Sequence, residues 1–124
     1  MEITRCTITF DAADVQLEAA FWAALFDGVS EGDHQWRVVR APDGTVPVGV
    51  QLAQRHRVEP QWPGKPADTH LDLWVSDIDA AHEEALAHGA ELLQPAAGGE
   101  NFHVYASPSG HPFCLCWPVE QLSA

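Results

Sequence analysis

The sequence predicts an α+β domain built from two tandem β-α-β-β-β modules that share a cleft, and three observations predict it. A strand-like run ending at Asp14 leads into an Ala/Leu/Phe-rich helical pattern closed by Gly28. A turn at Ala41-Pro42-Asp43-Gly44 then precedes the apolar stretch Val46 to Ala53. The second half repeats that order: Thr69 to Asp77 enters a helical pattern closed by Gly89, and Ser107-Pro108-Ser109-Gly110 precedes the apolar stretch Pro112 to Trp117. The spacing is kept as well, 30 residues from Asp14 to Gly44 and 33 from Asp77 to Gly110. A unit of roughly 60 residues buries a poor core alone, so the halves are expected to pack together around a common cleft.

Ile3 to Phe10 alternates, with Cys6, Ile8 and Phe10 on one side and Thr7, Thr9 and Asp11 on the other, the period of a half-buried strand. Asp14 is placed to cap a helix that runs to about Asp27, where Gly28 supplies the stop. Its core stripe reads as Leu17, Phe21 and Leu25 with Ala20 and Ala24, and Trp22 and Phe26 widen the apolar arc. Strands are expected around Trp36 to Arg40 and Val48 to Ala53. Residues 54–68, rich in proline, read as the connection, so a single domain over residues 1–124 divides into module one at about 1–54, a linker at about 55–68 and module two at about 69–124. In the second module Leu71, Leu73 and Val75 face one way as core, and His70, Asp72, Trp74 and Ser76 the other. A helix follows from Ile78 to His88, capped near Ser76 or Asp77, and strands around Ala90 to Gln94, Phe102 to Ala106 and Pro112 to Trp117 complete the module.

Composition bounds the function. Six Lys+Arg against 18 Asp+Glu give a formal charge of −12, which repels a phosphate backbone and an anionic membrane surface, so neither nucleic acid nor membrane is an expected partner. No apolar stretch approaches the roughly 18 residues of a membrane span, and no secretory leader is legible at the N-terminus, so a cytoplasmic location is expected. The three cysteines are an odd count; Cys114 and Cys116, two apart on an extended strand, point the same way without bridging, which argues against a disulfide framework.

Phe21-Trp22-Ala23-Ala24-Leu25, His70-Leu71-Asp72-Leu73 running into Asp77-Ile78-Asp79-Ala80-Ala81, and Ser107-Pro108-Ser109-Gly110-His111-Pro112-Phe113-Cys114-Leu115 resemble the vicinal-oxygen-chelate superfamily. That superfamily includes glyoxalase I, extradiol dioxygenases and bleomycin- and fosfomycin-resistance proteins. The likeness spans essentially the whole chain and is nearest to the glyoxalase-like branch common in actinobacteria. It implies the glyoxalase/bleomycin resistance/dihydroxybiphenyl dioxygenase fold, a homodimer to which Trp22 and Phe26 lend apolar surface, and a cleft that takes a small organic molecule. In metal-dependent relatives, residues from the first and last strands of each module hold a divalent ion. Here His70 matches one such position, Thr7 (or Cys6, one register away) matches another, Cys114 stands where a glutamate is usual, and Gln51 is the nearest candidate for the fourth. One good ligand falls short of the three or so that a catalytic divalent site needs, so neither metal nor organic cofactor is expected.

The candidate catalytic pair is His70 and Asp72, which share a strand face: a histidine beside a carboxylate can move a proton near neutral pH, orient a polar ligand, or simply stabilise the seam between modules. The ligand-binding set is Thr7, Thr9, Trp36, Gln51, His70, Asp72, Trp74, Tyr105 and Cys114, with the aromatic members as walls for a flat or apolar ligand. His82 and His88 are six apart on a helix and cannot share a site. Three functional readings follow: a metal-independent protein that sequesters a small molecule or carries out a lyase- or isomerase-type proton transfer; a divalent-metal glyoxalase or dioxygenase using His70; and a non-catalytic assembly module.

Overall fold

The computed structural model describes residues 1–54, 62–65 and 69–119. Most of the expected linker lies outside them. The chain forms two compact units, Met1–Val58 and Glu59–Ala124.

In the first unit β1 (Ile8–Ala12) leads into α1 (Val15–Leu25), followed by β2 (Val29–Gly32), β3 (Trp36–Arg40) and β4 (Val48–Leu52). In the second, β5 (Leu71–Trp74) leads into α2 (Ile78–Ala87), then β6 (Glu91–Gln94), β7 (Phe102–Ala106) and β8 (Pro112–Cys116). Each unit is thus β-α-β-β-β. The sheets run β1-β4-β3-β2 and β5-β8-β7-β6, and in each the first and last strands pair in parallel. The strand β2 was not placed by the sequence pattern, because Val-Ser-Glu-Gly carries a single apolar residue, itself exposed. The first strand begins at Ile8 rather than Ile3.

Both helices start on an aspartate whose carboxylate takes a free N–H of the first turn, Asp14 from Leu17 at 3.0 Å and Asp77 from Ala80 at 3.1 Å. The end of α1 differs from expectation. Asp27 itself takes the left-handed turn (φ 52°), while Gly28 serves clearance, since a Cβ there would collide with the Arg40 carbonyl.

The buried face of α1 is also rotated from the expected stripe. Val15, Glu18, Ala19 and Trp22 are buried with Phe21 and Ala23, whereas Leu17 is 53% exposed. Trp22 is therefore core, stacked on Phe10 of β1 at 5.0 Å, and is not surface for a partner. Val39, Val48 and Val50 complete this core. In the second unit Tyr105, Phe113 and Leu115 are buried; Leu71 and Leu73 are only half-buried, since β5 is the short edge of its sheet.

Candidate functional site

Register decides which side chains meet. In the second sheet Asp72 sits opposite Cys114, which sits opposite Val104, while Trp74 sits opposite Cys116, which sits opposite Phe102. All six share one face, because residues paired across a ladder point the same way. Val104, Cys114 and Cys116 form its buried floor, with Trp62, Leu93 and Phe102 packed against them. Asp72 and Trp74 stand on it exposed, the Trp74 residue at 65%.

His70 enters just before β5. Its Nε2 lies 3.2 Å from Asp72 Oδ1, and the Trp62 ring stacks on the imidazole at 4.1 Å. The strand positions the pair and the indole limits how far the imidazole can turn. Donor atoms of His70, Asp72 and Cys114 all lie within 4.8 Å of one another. Burial pushes the Cys114 thiol up to about 12, with the Asp72 carboxylate, Cys116 and a hydrogen bond to Asp72 adding to the shift. Cys116 is raised too, first by burial and then by Asp72. Burial thus favours the thiol form of both sulfurs, which makes them poor nucleophiles.

Tyr105 does not belong to this face. It pairs with Phe113 and stacks on it at 5.2 Å on the opposite side of the sheet, fully buried beneath α2, where its hydroxyl meets His82 Nδ1 at 2.7 Å. Tyr105 therefore stands apart from the His70–Asp72–Cys114 face on which a ligand contact was expected: alternation puts Val104, not Tyr105, beside Cys114. Burial raises the phenol to about 12, with Cys114 adding to it. His103 stands near it and accepts the Ala96 N–H on Nδ1 at 2.9 Å. Its pKa is lowered, mainly by burial and then by the neighbouring His82, against a smaller upward pull from Asp79. The His82–Tyr105 pair escaped the sequence reading, although a histidine on the inward side of a helix was its signal.

In the first unit Thr7, Thr9, Trp36 and Gln51 do come together, on the sheet face away from α1. Thr9 pairs with Gly49, and Asp11 with Gln51, which also pairs with Trp36. Gly49 makes room for this: a Cβ there would lie 3.1 Å from Thr9 Oγ1 and 3.2 Å from Trp36 Cη2. Gln51 Nε2 donates weakly to Asp11 at 3.4 Å, and Thr7 Oγ1 donates to the Val46 carbonyl at 2.7 Å while accepting from Arg5 Nε at 2.9 Å. A cavity of about 470 Å³ lies by the N-terminal segment and the β3–β4 turn, lined by Arg5, Cys6 and Arg40 among others.

The two helix caps fix the internal equivalence of the units. Asp14 answers to Asp77, so Thr7 answers to His70 and Thr9 to Asp72; the ladders then make Gly49, and not Gln51, the counterpart of Cys114. Gln51 answers to Cys116. The first unit thus offers a threonine hydroxyl already bonded to a carbonyl and an arginine, and a glycine, where the second offers His70 and Cys114.

Residues 7–116 match a family model described as a glyoxalase-like domain. No curated protein matches the chain. Among solved structures it is similar to a glyoxalase-related enzyme from Fulvimarina pelagi, at 19% identity over 94% of this chain and 89% of that one, with a TM-score of 0.66. It is similar also to the fosfomycin resistance protein FosX from Mesorhizobium loti, at 15% identity over 97% and 96% of the two chains and a TM-score of 0.69. The corresponding values for FosX from Listeria monocytogenes are 16%, 98%, 98% and 0.68. At such identities the likeness to these structures is one of fold.

Proposed function

The chain belongs to the glyoxalase-like domain family, and from that premise we propose that it binds a small organic molecule, without a metal ion, on the His70–Asp72–Cys114 face of its second unit. The observation that carries this reading is the convergence of an oriented histidine, a carboxylate and an aromatic shelf on an apolar floor. Such a mixture of apolar surface with a few placed polar groups is what small-molecule sites are made of.

The donor set fits a resident divalent ion poorly. The first unit repeats no such donors: its positions answering to His70 and Cys114 are Thr7, engaged with Arg5, and Gly49. In the second unit the three converging donors are one imidazole, one carboxylate and one buried thiol. A hard ion would find a single carboxylate there.

A neutral His70 that turns Nε2–H toward Asp72 keeps its lone pair on Nδ1. That atom can take a proton from a bound molecule while Asp72 stabilises the imidazolium, so the same geometry serves simple retention or a lyase- or isomerase-type proton transfer. Thr7, Thr9, Trp36 and Gln51 are proposed as ligand contacts on the first unit's own sheet face. The nearest kinship is proposed with the actinobacterial glyoxalase-like branch, on the motifs quoted from the sequence.

A fragment screen read by thermal shift tests the site. Fragments that raise the melting temperature of the wild type should lose that effect in His70→Ala and Asp72→Ala, both of which remain folded. A screen without hits, or hits that bind both variants as tightly as wild type, overturns the assignment. Metal analysis of untagged protein checks the other half, and a tightly held equivalent of Zn, Fe, Mn or Ni would refute metal independence.

We propose further that the protein is a cytoplasmic homodimer. Its three free cysteines suit a reducing compartment, and β1, β2, β5 and β6 are sheet edges suited to pairing. A stable monomer in sedimentation at micromolar concentration would contradict the dimer.

A further inference from the structure

We infer that the ligand of this face is a flat organic cation, an inference that rests on the binding role just proposed for it. Three features of the second sheet point to that class.

The first is charge. None of its four strands contains a lysine or arginine, whereas Asp72 stands on the face with its side chain about half exposed. An anionic ligand meets no fixed counter-charge from these strands. A cation meets one, in a chain whose formal charge is −12.

The second is the floor. Cys114 and Cys116 lie buried across the ladder from Asp72 and Trp74, and with Val104 they make an apolar base. A carboxylate over such a base attracts an opposite charge more strongly than one surrounded by water, because fewer solvent dipoles screen it. That base is itself covered by Trp62, Leu93 and Phe102, so the apolar surface offered to a ligand is that of the rings around it, which a plain metal ion cannot use. An organic cation has both the charge and the surface.

The third is the aromatic edge. Trp74 follows Asp72 by two residues on the same face and is 65% exposed, in line with Cys116 and Phe102. An exposed indole beside a carboxylate offers a π-face to a cation, and tryptophan is the side chain best suited to that contact. Trp62 stacks on His70 at 4.1 Å and packs against the Cys114, Cys116 and Val104 base, so a second aromatic ring belongs to the same face.

Isothermal titration at pH 8 with three probes of similar size tests the class: 1-methylquinolinium (cationic), quinoline (neutral at that pH) and 2-naphthoate (anionic). The wild type should bind 1-methylquinolinium about tenfold more tightly than quinoline, and 2-naphthoate least. Asp72→Asn, which keeps an acceptor for His70, should erase the preference for the cation. Trp74→Leu should weaken the cation without reversing the order. Equal or tighter binding of quinoline or 2-naphthoate overturns the cation class while leaving the site intact, as does a preference that survives Asp72→Asn. Failure of all three probes to bind also overturns the class; the fragment screen separately judges whether the face binds ligands at all.

Discussion

Trp22 Nε1 donates to Glu18 Oε2 at 2.8 Å one turn back along α1, and both side chains are fully buried. The contact lets an indole with a polar N–H sit in the core of the first unit, since a buried donor without a partner costs about 1–3 kcal/mol. Glu18→Leu should therefore lower unfolding free energy by about that much, and Glu18→Gln, whose carbonyl still accepts the bond, by clearly less. Urea denaturation of the two variants checks the order. Equal losses would mean that the bond is incidental to burial.

The corresponding anchor of the second unit is the Tyr105 hydroxyl against His82 Nδ1. Tyr105→Phe keeps the stacking on Phe113 and removes only the bond, so a loss of about 0.5–1.5 kcal/mol is expected. Because Tyr105 lies on the far side of the sheet from Asp72, ligand affinity should not change. A loss of binding with stability intact would return Tyr105 to the site.

Acid should weaken the second unit through His103. Its folded-state pKa lies below the ordinary 6.5, so below about that pH the unfolded chain takes up a proton that the folded one resists. Stability is thus highest above 6.5 and falls as pH drops toward the folded value. Protonating Nδ1 would also cost the Ala96 N–H its acceptor. His103 is faced by His82, Tyr105 and Trp117, with Asp79 pulling the other way. Urea midpoints between pH 8 and pH 5 should fall for the wild type and fall less for His103→Asn. Parallel curves would assign the acid sensitivity to other groups.

The three cysteines should divide by burial. Cys6 is exposed, whereas Cys114 and Cys116 are buried with raised pKa values. A disulfide reagent at pH 8 should label Cys6 promptly and reach the other two only on unfolding. Rapid native labelling of Cys114, located by peptide mapping, would show that its thiol is not held protonated.

The order of elements apart from β2, the Asp14 cap, the second cap to within Ser76 or Asp77, and the sharing of a face by His70, Asp72 and Trp74 were legible in the sequence, because each depends on neighbours in the chain. Period two places alternate residues of a strand together wherever that strand goes, and a carboxylate before an apolar helix caps it locally. Thr7, Thr9, Trp36 and Gln51 converge in the first unit for the same reason, once the ladder aligns their strands. What needed the tertiary structure was everything set by the partner across a ladder or beneath a helix. Only the register shows that Cys114 faces Asp72 while Tyr105 turns to His82, and that Gly49 rather than Gln51 answers to Cys114. Only the packing shows that α1 buries Trp22 with Glu18 in place of Leu17, because a buried indole also requires a partner for its N–H. Periodicity records which residues share a side, but hydrogen-bond satisfaction and cross-strand register decide which side becomes the core.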